Sequence, residues 1–277
     1  MKFDIGASGN DFSSLFATLA GDPESYLRDD AAVFASAVGR SFYEQVLPTS
    51  SVTLGWSSWA LQYLSRAPAP VPDHVHYGSS ADAAARTAYT RQAQDDWRTF
   101  LTCRGRELRP GGRLVVLTKG LLDDGGDGYQ GRLIAAIYAT LMKLVDEGFV
   151  STSEVRRMAI PMASRGRSDL LAPFSTNQRF AGLSIDHVDV FYGDDCIWEE
   201  FERDRDAGKF GARWAAFSRA SVFPTLGQAL DHAHDEREVT SFFDRLEAGM
   251  AAQLAMTPQL MIIPLACMAL TKDTHEA

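Results

Sequence analysis

The spacing of hydrophobic positions changes several times along this chain, and each change marks an element. From Ala81 onward, Tyr89, Ala93, Trp97, Phe100, Leu101 and Leu108 recur at helical intervals. The run predicts a long amphipathic helix that stops at Arg109-Pro110-Gly111-Gly112. Arg113 to Thr118 is mostly apolar and predicts a buried strand, so helix, paired glycines and strand make one αβ unit. Earlier, Val52-Thr53-Leu54 opens a strand that runs on through Gly55. Trp56, Trp59, Leu61, Tyr63 and Leu64 follow at mixed helical spacing and predict a short aromatic helix before Pro68. Asn10 or Asp11 is placed to cap a helix carrying Phe12, Leu15, Phe16 and Leu19.

The second half continues the alternation. Leu133 to Val145 is helical, and Ser151 or Ser153 caps a further helix. Leu183 to Phe191 alternates around Ile185, Val188 and Val190 as a strand does. Phe210, Trp214 and Phe217 share one helical face, as do Phe242, Leu246, Met250 and Leu254. Leu260 to Leu270 is too short to span a bilayer and predicts a buried strand, antiparallel to Leu183–Phe191. The whole order predicts an α/β fold: an open twisted sheet with helices on both faces and antiparallel last strands.

Composition narrows the function. With 277 residues, 45% hydrophobic and 23% charged, the chain fits a soluble globular protein of one large or two small domains. A net charge of −9 without a basic stripe argues against a nucleic-acid surface. Cys103, Cys196 and Cys267 are too few and too scattered for a disulfide framework or a zinc quartet. With no leader pattern at the start, they point to the cytoplasm.

Candidate chemistry concentrates at Ser50–Pro68. Open α/β sheets bind ligands beyond their strand ends, and two indoles with a phenol supply apolar walls and donors. The same aromatics also suit plain packing of a helix onto the sheet. His74 and His76 lack a nearby third metal ligand and read as loop residues. Asp123 to Gly128 lacks calcium-loop spacing and reads as a solvated turn, and Asp231 to Asp235 is a faint metal candidate. His187 reads as a surface residue rather than a base, and no Gly-x-Ser-x-Gly elbow is present.

Four segments occur in an order that points to a family: Asn10-Asp11-Phe12, Gly39 to Tyr43 leading to Leu47-Pro48, Ser57 to Ser65 (SSWALQYLS), and Glu107 to Thr118 (ELRPGGRLVVLT). Val145 to Val150 and Ile160-Pro161 follow them. Together they resemble the SABATH family of S-adenosylmethionine-dependent carboxyl methyltransferases, which act on salicylate, benzoate and similar acids. The family includes relatives that methylate xanthine nitrogens. The resemblance implies a class I methyltransferase (Rossmann-like) sheet with a helical cap. Residues 1–125 and 180–277 would form the core, and 126–179 with roughly 205–230 the cap.

The resemblance also implies roles. Ser41 and Phe42 would lie beside the adenine of S-adenosylmethionine, and Asp4 is the nearest match to a carboxylate preceding the Asn-Asp-Phe motif. Trp59 would hold the acceptor, while Gln62 and Tyr63 face its carboxylate. Ile134 stands where relatives have a pocket-lining tryptophan. A carboxylate is already ionised at neutral pH, so no general base is expected. The expected partner is a small carboxylic acid, with neither nucleic acid nor membrane, and a homodimer is allowed. Family members carry a glycine-rich strand and loop ahead of Asn-Asp-Phe, so the chain reads as N-terminally truncated and weak in cofactor binding. The alternative function is a methyltransferase-like remnant or interaction domain without activity.

Overall fold

The structure is a computed structural model that describes residues 11–25, 27, 34–121, 128–174, 177–231 and 234–274. Its strands are β1 (Val52–Ser58), β2 (Leu108–Lys119), β3 (Arg179–Phe180), β4 (Leu183–Gly193) and β5 (Ile263–Lys272). They form one sheet in the order β1-β2-β5-β4-β3. β1 and β2 run parallel, and β5 is antiparallel to both β2 and β4. The helices are α1 (Phe12–Gly21), α2 (Ala83–Glu107), α3 (Tyr129–Asp146), α4 (Thr152–Arg157), α5 (Arg167–Leu171), α6 (Cys196–Asp204), α7 (Ala207–Ser221), α8 (Phe223–Gly227) and α9 (Glu236–Met256).

Several boundaries follow directly from side-chain chemistry. Asp82 starts α2 by accepting from the amides of Ala84 and Ala85, which would otherwise lack partners. Asp11 does the same for α1 through the Ser14 amide, although α1 buries no residue. Ser151 and Glu154 form a reciprocal capping box at α4.

Strand β2 begins at Leu108, five residues earlier than its apolar run predicts. Its register against β1 jumps from Val52↔Leu108 to Leu54↔Arg113, so the Pro110-Gly111-Gly112 stretch is absorbed as a bulge within the strand. Gly111 permits this with φ of +74°, and a Cβ on Gly112 would crowd the Val52 carbonyl at 2.9 Å.

The short aromatic helix predicted after Gly55 does not form. β1 continues through Trp56 to Ser58, and the chain then turns at Trp59, whose φ is +55°. The reversal leaves Trp56 67% exposed while Leu61 and Leu64 are fully buried.

Two cores result. Trp97, Phe100 and Leu101 of α2 pack onto Leu114, Val116, Met268 and Leu270, covering one face of the sheet. A second helical layer is not seen among the described residues: on the opposite face Val115, Leu117, Cys267 and Ala269 stay half-buried, and Leu54 is 63% exposed. The second core instead joins α3, α7, α8 and α9 beyond the carboxyl ends of β1 and β2. Phe242, Leu246, Met250 and Leu254 form the inward stripe of α9, each buried side chain contributing about 1.5–3 kcal/mol.

Candidate active site

The segment after β1 is pinned by bonds from distant parts of the chain. The Trp59 amide donates to the Leu117 carbonyl at 2.9 Å, and the Leu64 amide to Pro161 at 2.7 Å. The Ala163 amide donates to Gln62 at 2.7 Å, and Tyr63 pairs with Met162 in an antiparallel bridge. The buried Arg165 guanidinium donates to the Leu61 carbonyl and, at 3.0 Å, to Ala93. The Gln62 side chain braces the turn, donating to the Trp59 carbonyl at 2.7 Å and accepting from the Thr118 hydroxyl at 3.4 Å.

This pinned turn forms one wall of a narrow cavity of about 30 Å³, with room for roughly two waters. Trp59, Gln62 and Tyr63 face Tyr129, Gln130 and Ile134 of α3 across it, and Ser218 and Ser221 of α7 close the far end. The Tyr63 hydroxyl donates to the Ser221 carbonyl at 3.2 Å. Burial, helped by the neighbouring Tyr63, pushes the Tyr129 phenol up, so it stays protonated. Beneath α3, the fully buried Lys119 donates to the Gln130 side-chain oxygen, its ammonium 5.7 Å from the Tyr129 ring centre.

A second, larger cleft of about 430 Å³ runs beside β1, whose outer edge has no strand partner among the described residues. Phe42, Leu54 and Trp56 give it apolar walls, and Arg104 and Glu107 supply charge. Glu107 is fully engaged: it accepts from Arg104 at 2.7 Å through both oxygens and from the Val46 amide at 2.6 Å. The volume suits a nucleoside-sized group, but Glu107, the carboxylate that lines the cleft among the described residues, is already occupied. Ser41 lines neither cavity and accepts from the Tyr43 amide at 3.2 Å. The structure thus brings Trp59, Gln62, Tyr63 and Ile134 together, sets Phe42 in the neighbouring cleft, and leaves Asp4 outside the described residues.

Against known proteins, residues 6–272 match the model of the SAM dependent carboxyl methyltransferases. The chain belongs to that family. The salicylate carboxymethyltransferase of Clarkia breweri is 27% identical over 232 residues, covering 81% of this chain. The chain spans 61% of that relative's length. A probable 7-methylxanthine methyltransferase of Camellia ptilophylla is 21% identical, over 92% of this chain and 71% of its own. The structure of loganic acid methyltransferase with SAH superposes with a TM-score of 0.71, at 21% identity, over 97% of this chain and 72% of that one. That likeness carries the methyltransferase fold to this family member.

His74 stacks on Tyr138 with ring centres 4.1 Å apart, His187 lies exposed on β4, and His234 bonds Glu154 at 2.8 Å. The acidic glycine run, residues 122–127, lies outside the described residues, as do 232 and 233. Among the described residues no helix is long and apolar enough to cross a membrane. Sequence reasoning missed Tyr129, Gln130 and Lys119. The one available signal was a lysine closing an otherwise apolar strand.

Proposed function

We propose that this carboxyl methyltransferase family member binds a small, apolar or aromatic carboxylic acid in the narrow cavity and methylates its carboxylate. The observation that carries this reading is the convergence of Trp59, Gln62, Tyr63 and Ile134 on one cavity beyond the carboxyl ends of two parallel strands. S-Adenosylmethionine, when bound, supplies the electrophilic methyl group. Phe42 is the natural wall for its adenine, and the Glu107 carboxylate, held by Arg104, is not free for its ribose.

The chain's own residues do the rest. The acid arrives ionised, since its free pKa is about 4, so no base is needed. Tyr129 and Gln130 orient it through O–H and N–H donors, each such bond to a charged group worth about 1.5–3 kcal/mol, while Tyr63, its hydroxyl engaged with the Ser221 carbonyl, forms the wall beside them. Leu133, Ile134 and Ile137 wall its apolar body and exclude water. Trp59, 38% exposed, is the wall residue that yields space as the acid enters. Cys196 is exposed and unbonded, which supports a reducing, cytoplasmic setting.

A second reading, an interaction domain without cofactor binding, is favoured by the occupied Glu107 and the exposed Leu54 and Trp56 beside the open β1 edge. Incubating the chain with S-adenosylmethionine and a panel of benzoate-like acids tests both. Methyl esters detected by mass spectrometry support the enzyme. Calorimetry that shows acid binding but no cofactor binding supports the second reading.

A further inference from the structure

We infer that Lys119 is a positioning residue for acceptor recognition: it fixes the Gln130 side-chain amide so that its N–H groups, not its oxygen, meet the acceptor carboxylate. The inference rests on the reading of the narrow cavity as the acceptor site. Lys119 is the last residue of β2, fully buried, and its ammonium has only donors to offer. It donates to Gln130 Oε1 and so holds the oxygen on its own side. The amide nitrogen is thereby turned toward His76, 3.2 Å away, and Gln130 is itself one of the residues that line the cavity.

His76 does not satisfy that nitrogen. The Gly78 amide donates to its Nδ1 at 3.2 Å, so the ring proton sits on Nε2, which donates to the Met162 carbonyl at 3.0 Å. Gln130 Nε2 therefore faces a donor with a donor. Left to itself the amide would flip and accept from His76. Lys119 prevents that flip, and a buried amide held in this orientation keeps its hydrogens for an incoming anion. An acceptor carboxylate supplies what His76 does not. Were the amide reversed, its oxygen would face the carboxylate and repel it.

The test titrates the whole chain, labelled with nitrogen-15, with benzoate as probe and benzamide as the neutral control. Gln130→Glu is isosteric, keeps an oxygen for Lys119 and gives a second to His76, while removing both N–H donors. It should melt at or above the wild-type temperature yet bind benzoate at least tenfold more weakly. Lys119→Met should weaken benzoate similarly, and should cost nothing further in a Gln130→Met background, because it acts through that residue. In the wild type, benzoate should shift the Gln130 side-chain amide resonances. Undiminished benzoate affinity in Gln130→Glu would overturn the inference, as would a Lys119→Met loss that adds fully to that of Gln130→Met. In both cases benzoate binding by the wild type leaves the acceptor reading standing. A wild type that binds no benzoate overturns both, and the Gln130→Glu variant keeps the test open should Lys119→Met fail to fold.

Discussion

The Tyr43 hydroxyl donates to the Tyr63 backbone carbonyl at 2.6 Å, tying the residue beside Phe42 in the cleft to a wall of the narrow cavity. Tyr43 is 6% exposed, so Tyr43→Phe removes a hydrogen bond at a part-buried position. The expected loss is about 1–2 kcal/mol in urea unfolding, with weaker acid binding because Tyr63 is no longer anchored. Unchanged stability would mean the bond carries no weight.

Ile134 sits 2% exposed in the cavity wall, and on the proposed reading its side chain sets the depth available to the acceptor. Ile134→Ala should destabilise the chain by about 2–4 kcal/mol and shift acceptor preference toward bulkier acids. Affinities for benzoate and a para-alkyl benzoate, measured side by side, read this directly.

Acid stability depends on Glu154. Burial alone would push its carboxyl up, but bonds from the Asp231 and Ser151 amides, the Ser151 hydroxyl and His234 outweigh that and hold it at about 2. A folded value below the unfolded one means the contribution is complete above about pH 4.5 and is lost as pH falls toward 2. The wild type should therefore lose roughly 3 kcal/mol across that window. Glu154→Gln should remove much of this slope, and parallel unfolding curves at pH 6 and pH 3 check it.

The α7–α9 contact depends on a missing side chain. A Cβ on Gly211 would run into the Ala251 carbonyl and come within 3.0 Å of the Ala255 nitrogen, both backbone atoms of α9. Gly211→Ala should cost at least about 1–3 kcal/mol through overpacking, despite alanine's better helix propensity. Thermal melting measures the sign.

Local pattern made much of this fold legible. The helical period of Tyr89, Trp97 and Leu101 marks α2, and the apolar run to Leu270 marks β5, paired antiparallel with β4 as expected. Where the reading failed, the deciding contacts are remote in sequence. The turn at Trp59 is held by Leu117, Pro161, Ala163 and Arg165, none of which a local window sees, so aromatics at helical spacing looked like a helix. The family motif assigned Trp59, Gln62, Tyr63 and Ile134, which share a cavity. Gln130 and Lys119 carry no motif, because their pairing exists only once β2 and α3 are stacked.

Acids are expected to bind in the narrow cavity and not in the β1 cleft. Calorimetric titration of benzoate into the wild type, Tyr63→Ala, Ile134→Trp and Trp56→Ala separates the two, since Trp56 lines only the cleft. One site is predicted, weakened at least tenfold in Tyr63→Ala and Ile134→Trp and unchanged in Trp56→Ala. Loss of binding in Trp56→Ala, with Tyr63→Ala and Ile134→Trp unaffected, would contradict the account.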